Sequence, residues 1–452
     1  MVSFSHKNLI LIACVVLSVW LLIAQAFGNL FLLLPCLVCY LALLAWSAVQ
    51  SMVMPVLLFF LPFSALLKIS HGSISFYTIG LMCVYLIYLV LGSKNIDIRH
   101  FIPAFFIIAL TMIVKVSNGF SFENNYFLFI TTLLVLPFLK REINDKYDLY
   151  ELTFCFVFGI VLAATTSRFL ISNANITEFI ATFDIHGSTR YAGFYGDPNF
   201  YSVHITTAFS GVLILLLDFN KRKRFVSLIL MASALLYCGL LSVSKSFFLI
   251  VVCLLLLWFI RFLFVKGKAS VKLTVVFLSI IALFFLLSST VFVDALDLIF
   301  SRFGSDNTIS DFTTKRTNIW FNYFNHFEEN PMVLLFGNGY TDSAMVYGRA
   351  AHNTVIQLVF QFGIFGCLFL VSWFVLLTKS FINKISIQFN SLLSLLILIV
   401  GSIGPWIALD MLFFDEFFII PIYVFVGYNY VNKKESISLD DSNKGLVANE
   451  LS

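Results

Sequence analysis

Charged side chains are scarce in this chain, and their scarcity restricts the fold class more than any other property. Asp, Glu, Lys and Arg make up 12% of the 452 residues, whereas 60% are hydrophobic and 54 are Phe. Soluble globular domains carry about 25% charged residues, so this composition excludes a soluble globular protein. Because backbone polar groups inside a bilayer must be paired internally, the sequence predicts an all-α, polytopic integral membrane protein.

Paired cysteines, clustered metal ligands and internal repeats are also lacking. The eight Cys lie singly, and the closest pair, Cys36 and Cys39, has no nearby His or carboxylate. Thiols in this setting are better interpreted as small packing residues than as metal ligands or disulfides. The carboxylates of the polar regions are scattered, so we expect neither a metal site nor a cofactor. The first apolar run is followed by no small-residue cleavage site, which favours a retained helix over a signal peptide.

A hydrocarbon core of ~30 Å requires ~20 apolar residues per helix, and this length predicts about twelve to fourteen transmembrane helices. The fourteen predicted spans are roughly 9–27, 30–49, 52–67, 76–92, 101–116, 122–139, 150–171, 198–217, 225–242, 247–265, 272–292, 353–378, 389–409 and 412–430. The third and fifth are short, which is compatible with tilted or partly re-entrant segments. Residues 1–432 are thus expected to form one transmembrane domain, and the polar tail 433–452 a disordered cytoplasmic segment.

The distribution of Lys and Arg predicts the orientation of these helices. With a cytoplasmic N-terminus, 19 of the 28 Lys and Arg residues fall inside, among them the run Lys221–Arg224. The bias is sharpest in the short loops, where the positive-inside rule operates. Both termini are therefore predicted to be cytoplasmic. The net charge of +4 reflects this topology and gives no reason to expect a nucleic-acid partner.

Two polar insertions fall on the outer side in this orientation. We refer to Ser172–Pro198 as the short polar loop and to Phe292–Ala351, which carries eleven charged side chains, as the polar segment. Within the polar segment, Phe312–Glu329 has aromatic residues at roughly helical spacing, which predicts an amphipathic helix at the outer interface. We expect its aromatic stripe to pack against lipid or protein rather than to bind sugar. Asn330-Pro331 should end this helix, and Gly337–Gly339 should form a turn.

Two short motifs present polar groups next to predicted outer helix ends. In Arg190–Asn199 a tight turn precedes a helix that Asp197 and Asn199 can cap, while Arg190 is either a solvated side chain or a specific contact. In Ser242–Ser246, Lys245 lies in a short outer loop, against the positive-inside tendency. It is either a lysine that extends to the headgroup level or a cation presented to an anionic lipid headgroup.

The polar segment adds Arg302, Arg316 and Arg349, and it ends just before His352-Asn353, where the next apolar helix begins. A lone interfacial His is usually structural, but His352 shares its side of the membrane with at least six predicted cations. Gly363 and Gly366 lie three apart in the helix that follows, so they should share one face and allow a neighbour to approach closely.

This combination suits a ligand that is anionic and held in the membrane, such as a sugar attached to a polyprenyl pyrophosphate. Arg matches phosphate oxygens in a bidentate manner. A neutral His can accept the proton of an attacking sugar hydroxyl, and cations stabilise the charge that develops on the departing pyrophosphate. Since pyrophosphate is a good leaving group, no covalent protein intermediate is required.

These residues resemble the bacterial O-antigen polymerase and O-antigen ligase superfamily. The resemblance covers roughly residues 150–380. It rests on the order and sidedness of the following features: Arg190–Asn199, Ser244-Lys245-Ser246, Arg302, Arg316, Trp320, Asn330-Pro331, Gly337–Gly339, His352-Asn353 and Gly363 with Gly366. Lys245 departs from the family, which often has Arg there, so phosphate contact should survive while bidentate geometry is in doubt.

The resemblance implies a metal-independent, inverting glycosyl transfer from an undecaprenyl-pyrophosphate-linked glycan at the outer face of the bacterial inner membrane. It makes His352 the candidate base, and Arg190, Lys245, Arg302, Arg316 and Arg349 pyrophosphate or acceptor contacts, with Asp197, Asn199 and Asn353 in supporting roles. Such an enzyme would work beside a flippase and a chain-length regulator in making O-antigen, capsule or exopolysaccharide.

Three functions remain open at this point. In a polymerase the acceptor is a second lipid-linked repeat unit, and the Gly-Asp-Pro-Asn turn and the number of spans favour this reading. In a ligase the acceptor is the lipid A core. A flippase or transporter should instead show two similar halves and charges inside its spans, whereas here the charges collect in the outer segments.

Overall fold

The computed structural model describes residues 6–70, 72–92, 98–119, 124–142, 148–180, 182–185, 188–195, 197–217, 222–264, 316–340, 345–382, 388–410 and 419–433, and the isolated positions 272, 273, 276, 277, 288, 293 and 297. These residues are predominantly helical, and the sheets among them are two antiparallel hairpins of two strands each. The predicted all-α class is confirmed.

The described residues form sixteen helices. In chain order they are α1 (His6–Ala26), α2 (Leu30–Val49), α3 (Val53–Phe60), α4 (Phe76–Gly92), α5 (Phe101–Ser117), α6 (Asn124–Val135), α7 (Leu149–Phe169), α8 (Ala174–Thr177), α9 (Pro198–Leu216), α10 (Arg222–Leu241), α11 (Lys245–Leu263), α12 (Arg316–Glu329), α13 (Pro331–Phe336), α14 (Thr354–Phe381), α15 (Phe389–Ser402) and α16 (419–433). The 3₁₀ turns are Leu61–Phe63, Ile98–His100, Leu136–Glu142 and Gly404–Ala408. The hairpins pair β1 (Thr182–Ile185) with β2 (Ser188–Tyr191), and β3 (Met345–Val346) with β4 (Arg349–Ala350).

Nine helices within the described residues are long and apolar enough to cross a membrane. They are His6–Ala26, Leu30–Val49, Ile98–Ser117, Leu149–Phe169, Pro198–Leu216, Arg224–Leu241, Lys245–Leu263, Thr354–Phe381 and Phe389–Ala408. Val53–Phe63 and Phe76–Leu91 are apolar but shorter. The predicted span 272–292 lies almost wholly outside the described residues, so the total of about fourteen stays a prediction, as do the tail 433–452 and the division into domains.

Helix α9 lies at the centre of the bundle. Every residue from Tyr201 to Leu216 is buried, and the helix packs against α7, α10, α11 and α15. A helix buried on all sides needs internal partners for its polar side chains. The Thr207 hydroxyl, for example, donates to the Val203 carbonyl at 2.7 Å. The start of this central helix, at Asp197-Pro198, therefore lies among the candidate residues.

Helices α7 and α10 define two ends of the bundle. At one end, Asp148 accepts a hydrogen bond from Arg224 at 2.7 Å, and Glu151 pairs with Lys7 of α1 at 2.8 Å. At the other end, Arg168 of α7 donates to Tyr237 of α10 at 3.0 Å. Lys7 and Arg224, both assigned to the cytoplasm by the charge distribution, thus lie at the same end.

The described part of the polar segment folds onto the start of α14. The predicted amphipathic helix is present as α12, which starts at Arg316; residues 312–315 lie outside the described residues. Its residues Ile319, Tyr323 and Phe327 form a small apolar cluster with the β3–β4 hairpin and α14. This is the packing role expected for the aromatic stripe, whereas Phe324 of the same helix is 52% exposed. Helix α12 ends before Asn330-Pro331, as predicted.

Helix α14 is broken at Gly363, where the backbone has φ 63° and ψ 180°. The turn at Gly337–Gly339 lies against the break: the Asn338 N–H donates to the Phe360 carbonyl at 2.8 Å and the Gly339 N–H to the Gln361 carbonyl at 3.1 Å. A Cβ atom on Gly363 would lie 2.4 Å from the Gly337 nitrogen. The expected close approach of a neighbour is found at Gly363. It occurs at a break in the helix, however, and not along a continuous helical face.

Candidate functional site

His352 is held at the start of α14 by a carboxylate that the sequence analysis did not single out. Asp410, which follows the 3₁₀ turn after α15, accepts hydrogen bonds from the backbone N–H of His352 at 2.9 Å and of Asn353 at 3.2 Å. Asn353 itself caps α14, because its side-chain oxygen accepts from the Val355 and Ile356 N–H groups at 2.9 and 3.2 Å. Asn353 therefore fixes the start of α14, next to His352.

The His352 side chain also lies beside Asp410. Its Nδ1 is 3.5 Å from the Asp410 Oδ2, and the imidazole is 47% exposed while the carboxylate is 12% exposed. That distance is within ion-pair range but is long for a hydrogen bond. Burial raises the pKa of Asp410, and His352, the two backbone N–H groups and Arg316 offset part of that rise. A half-exposed base thus sits next to a sheltered acid.

His352 also adopts an unusual backbone conformation, with φ 47°. Left-handed backbone is uncommon for residues other than Gly and is strained unless the surroundings hold it. Asp410 binds the N–H groups of His352 and Asn353, and these two hydrogen bonds fix the backbone at this position. One carboxylate therefore sets both the backbone and the electrostatic surroundings of the candidate base.

Arg316 lies between two carboxylates from different parts of the chain. Burial lowers the pKa of Arg316, and Asp197 and Asp410 raise it in part. Asp410 comes from the turn after α15, whereas Asp197 caps α9 and accepts a hydrogen bond from the Asn199 N–H at 2.6 Å. The first described residue of α12 is thereby placed at the junction of the starts of α9 and α14.

The start of α11 adjoins the start of α9. Ser244, the N-cap of α11, donates its hydroxyl proton to the Asn199 side-chain oxygen at 2.8 Å, and Lys245 is the first residue of that helix, half-buried. Asn199 was expected to cap α9, but the capping bonds come from Asp197. Asn199 instead joins the two helix starts, because it is the second residue of α9 and its side-chain oxygen faces Ser244 of the neighbouring helix.

Arg190 is buried, with 6% of its surface exposed, so the solvated alternative does not apply. It lies on β2, and its Nε–H donates to the Ser242 carbonyl at 2.9 Å. Ser242 ends the turn from α10 and is separated from Lys245 by two residues. The Arg190 side chain therefore extends toward the α10–α11 turn, on the inner face of its strand.

Arg349 and Arg302 have different positions. Arg349 lies on β4 with an exposed side chain, and its carbonyl accepts a hydrogen bond from the Tyr323 hydroxyl at 3.0 Å. Two residues later, the Ala351 carbonyl accepts from the Trp320 indole at 2.9 Å. Burial raises the pKa of Tyr323 to about 12, so its hydroxyl stays a donor at neutral pH. Arg302 lies outside the described residues.

The starts of α9 and α11 adjoin each other through Asn199 and Ser244, and Arg316 interacts electrostatically with Asp197 at the start of α9 and with Asp410, which binds the start of α14. The exposed N–H groups and aligned peptide dipoles of a helix start favour bound anions. Here Arg190, Lys245 and Arg316 add cationic side chains. Among the residues that the structure describes, no group of three or more His, Cys, Asp or Glu side chains is placed to hold a metal ion. Of these three cationic side chains, Arg316 interacts electrostatically with Asp410, the carboxylate beside His352.

Comparison with protein-family models, with curated proteins and with solved structures gives no match to this chain.

Proposed function

We propose that this protein is a glycosyltransferase that acts on a polyprenyl-pyrophosphate-linked glycan, and that it is an O-antigen or polysaccharide polymerase. The observation that carries the proposal is the pairing of His352 with Asp410 at the start of α14, together with Arg316, which interacts electrostatically with both Asp410 and the α9 cap Asp197. An acid–base pair next to an anion site is the combination that transfer from a pyrophosphate requires.

Each part of the region has a role in such a transfer. The pyrophosphate binds near the starts of α9 and α11, where the helix dipoles and the side chains of Arg190 and Lys245 offset its negative charge. The acceptor sugar hydroxyl lies against His352, which takes its proton as the hydroxyl oxygen attacks the anomeric carbon. The bond from that carbon to the pyrophosphate oxygen breaks, and the pyrophosphate leaves with the electron pair. Attack from the opposite face inverts the anomeric configuration.

Asp410 stabilises the imidazolium that forms when His352 accepts the proton. An ionised carboxylate near a protonated imidazole lowers the energy of that charge most where solvent is excluded. Arg316 interacts electrostatically with Asp410 and Asp197, so its positive charge favours the ionised form of Asp410. No metal or cofactor takes part in this mechanism.

The acceptor decides between a polymerase and a ligase. We place the protein in the bacterial inner membrane, with the region facing outward and a second undecaprenyl-pyrophosphate-linked repeat unit as acceptor. Both substrates would then be membrane-held, and a flippase and a chain-length regulator would be functional partners. The ligase, with lipid A core as acceptor, uses the same donor chemistry.

The test is the ladder of surface polysaccharide from a deletion strain complemented with the wild-type chain or with His352→Ala. We expect His352→Ala to reach the membrane in normal amount and to give no long glycan chains. Single repeat units on lipid A core would support a polymerase, whereas unmodified core with accumulating lipid-linked polymer would identify a ligase. An unchanged ladder would contradict the role of His352 as the base.

A further inference from the structure

A second cationic group lies outside the candidate site, at the end of α7. Arg168 is exposed, and its Nη1 donates to the Tyr237 hydroxyl on α10 at 3.0 Å. The centre of its guanidinium lies 5.0 Å from the centroid of the Tyr191 ring. Two tyrosines from two different elements therefore hold this cation. An arginine that merely extends into solvent needs no such contacts.

The alternation of strand β2 separates this group from the candidate site. Successive side chains of a strand point to opposite faces. Arg190 is buried and faces the α10–α11 turn. The side chain of Tyr191, the next residue, therefore lies on the opposite face of the strand, toward Arg168. The two arginines thus lie on the two sides of one strand, and Arg168 belongs to a different surface.

This surface adjoins the face of α10 that the protein leaves uncovered. Val226 and Leu230 are 67% and 64% exposed, and Tyr237, which lies at the end of the same stripe, is 49% exposed. Phe169, next to Arg168, is 85% exposed. In a bilayer this apolar stripe contacts lipid chains, and tyrosine and arginine at its end lie at headgroup depth.

The guanidinium retains donors for a ligand. An arginine carries five N–H donors in a planar fork, and Arg168 directs one of its nitrogens to Tyr237. Within the described part of the chain, the side-chain ion pairs are Lys7–Glu151, Arg224–Asp148 and His352–Asp410, and Arg168 belongs to none of them. A phosphate is the anion that matches the fork, and a lipid is the molecule that reaches this depth.

We infer that Arg168, Tyr191 and Tyr237 form a second binding site, for the phosphate headgroup of a membrane lipid that lies along the exposed face of α10. The site binds the headgroup and does not carry out chemistry. It stands on its own geometry and remains whether or not the protein is a glycosyltransferase. A phospholipid and a polyprenyl pyrophosphate share the headgroup chemistry that the site recognises.

The experiment counts bound lipids by native mass spectrometry. The full-length chain is purified in a neutral detergent, depleted of lipid, and titrated with phosphatidylglycerol, undecaprenyl pyrophosphate or diacylglycerol, which has no phosphate. We expect Arg168→Gln to lower the affinity for one phosphate lipid about tenfold, as loss of a charge-assisted contact should. Tyr237→Phe should give a smaller loss, and neither variant should change the binding of diacylglycerol.

Lys68→Gln is the matched control, because Lys68 is another cation predicted to lie on the outer side and is half-buried. It should bind phosphate lipids as the wild type does. Loss confined to undecaprenyl pyrophosphate would identify a lipid-linked glycan as the ligand, and loss confined to phosphatidylglycerol would identify a phospholipid; either supports the site. If Arg168→Gln does not fold, the binding of phosphate lipids to Tyr237→Phe tests the site instead.

Three results would overturn the inference. The first is wild-type phosphate-lipid binding in folded Arg168→Gln, or in Tyr237→Phe where that variant decides. The second is an equal loss with diacylglycerol, which would show that only the lipid chains are recognised. The third is an equal loss in Lys68→Gln, which would show that surface charge in general attracts the lipids.

Discussion

A left-handed φ at His352 costs an L-residue roughly 1–3 kcal/mol, unless the surroundings compensate. Asp410 supplies that compensation through two backbone hydrogen bonds, and it can do so only from a fixed position after α15. The candidate base is therefore set by a carboxylate 58 positions away in the sequence. The orientation of His352 depends on how two distant helix ends pack.

The pH dependence of glycan transfer should report this pairing. Burial raises the pKa of Asp410 above the ordinary value of 3.8, so the carboxyl stays protonated to a higher pH than a free Asp. Activity that needs the ionised form should rise with pH through that raised pKa. In Asp410→Asn the acidic limb should move from its wild-type position, and the rate above it should fall about tenfold or more, about 1.4 kcal/mol of barrier. Transfer rates of purified protein, measured from pH 4 to 8, check both.

The matched control for that experiment is Asp148→Asn. Asp148 is also a carboxylate in an ion pair at a helix start, but it lies at the other end of the bundle. Asp148→Asn should keep the acidic limb of the wild-type pH profile. If Asp410→Asn retained the wild-type profile, Asp410 would have no part in the proton transfer.

At this scale the sequence identified most of the region but missed Asp410. Arg190, Lys245, Arg316 and His352 were recognised because cations and a lone His stand out near predicted outer helix ends. Asp410 does not stand out in the sequence, since its partners His352 and Asn353 are 58 and 57 positions away in the chain. Its one local signal was an acidic residue at the end of an apolar run, which is costly unless the residue is paired.

Among the helices, the break in α14 is what allows the polar segment to dock. Gly363 and Gly337 bring two backbones together, and both have positive φ. The hydrogen bonds of Asn338 and Gly339 to α14 use carbonyls near the break, where α-helical pairing is interrupted. The Gly337–Gly339 turn therefore packs against α14 at the same place where α14 is broken, and each depends on the other.

Gly363→Ala should be strongly destabilising. It forces an L-residue into φ 63° and places a Cβ 2.4 Å from the backbone of Leu335 and Gly337. Gly348→Ala is the control, since Gly348 has φ 73° but no atom within 4 Å of the added Cβ. We expect a loss of about 1 kcal/mol for Gly348→Ala from backbone strain alone, and roughly 3 kcal/mol or more for Gly363→Ala from strain and overpacking together.

Denaturant unfolding in detergent, followed by tryptophan fluorescence, measures both losses. Equal losses in the two variants would mean that the backbones of α13 and α14 do not meet at Gly363. The break itself was not predictable from spacing, because Gly363 and Gly366 fit a continuous helical face equally well. The ends of α9 and α12, by contrast, were predicted from Asp197-Pro198 and Asn330-Pro331, since capping and proline act locally.

On the scale of the whole molecule, the two ends of α7 differ in chemistry. One end has ion pairs that join α1, α7 and α10, and the other has the candidate site and Arg168. Hydropathy predicted most of the helices because the length of a span is fixed by the bilayer. It could not predict that α9 is central, because helices that are apolar all round give no preferred face to their neighbours.

Labelling with a membrane-impermeant maleimide tests the sidedness. In a background with the eight native Cys replaced, Arg349→Cys should react in intact spheroplasts. His6→Cys should react only after the membrane is permeabilised. Both parent side chains are exposed in the structure, so a difference in labelling reports the side of the membrane and not burial. The reverse pattern would place the candidate site in the cytoplasm and contradict the proposed function.

The dependence of His352 on Asp410 also affects when the protein becomes competent during synthesis. A chain emerging from the ribosome inserts its helices from the N-terminus. Residue 352 therefore reaches the membrane before residue 410 does. Until α15 has inserted and the turn after it has formed, the His352 backbone lacks the carboxylate that holds it. Under the proposed function, the chain becomes competent for transfer only when one of its last helices is in place.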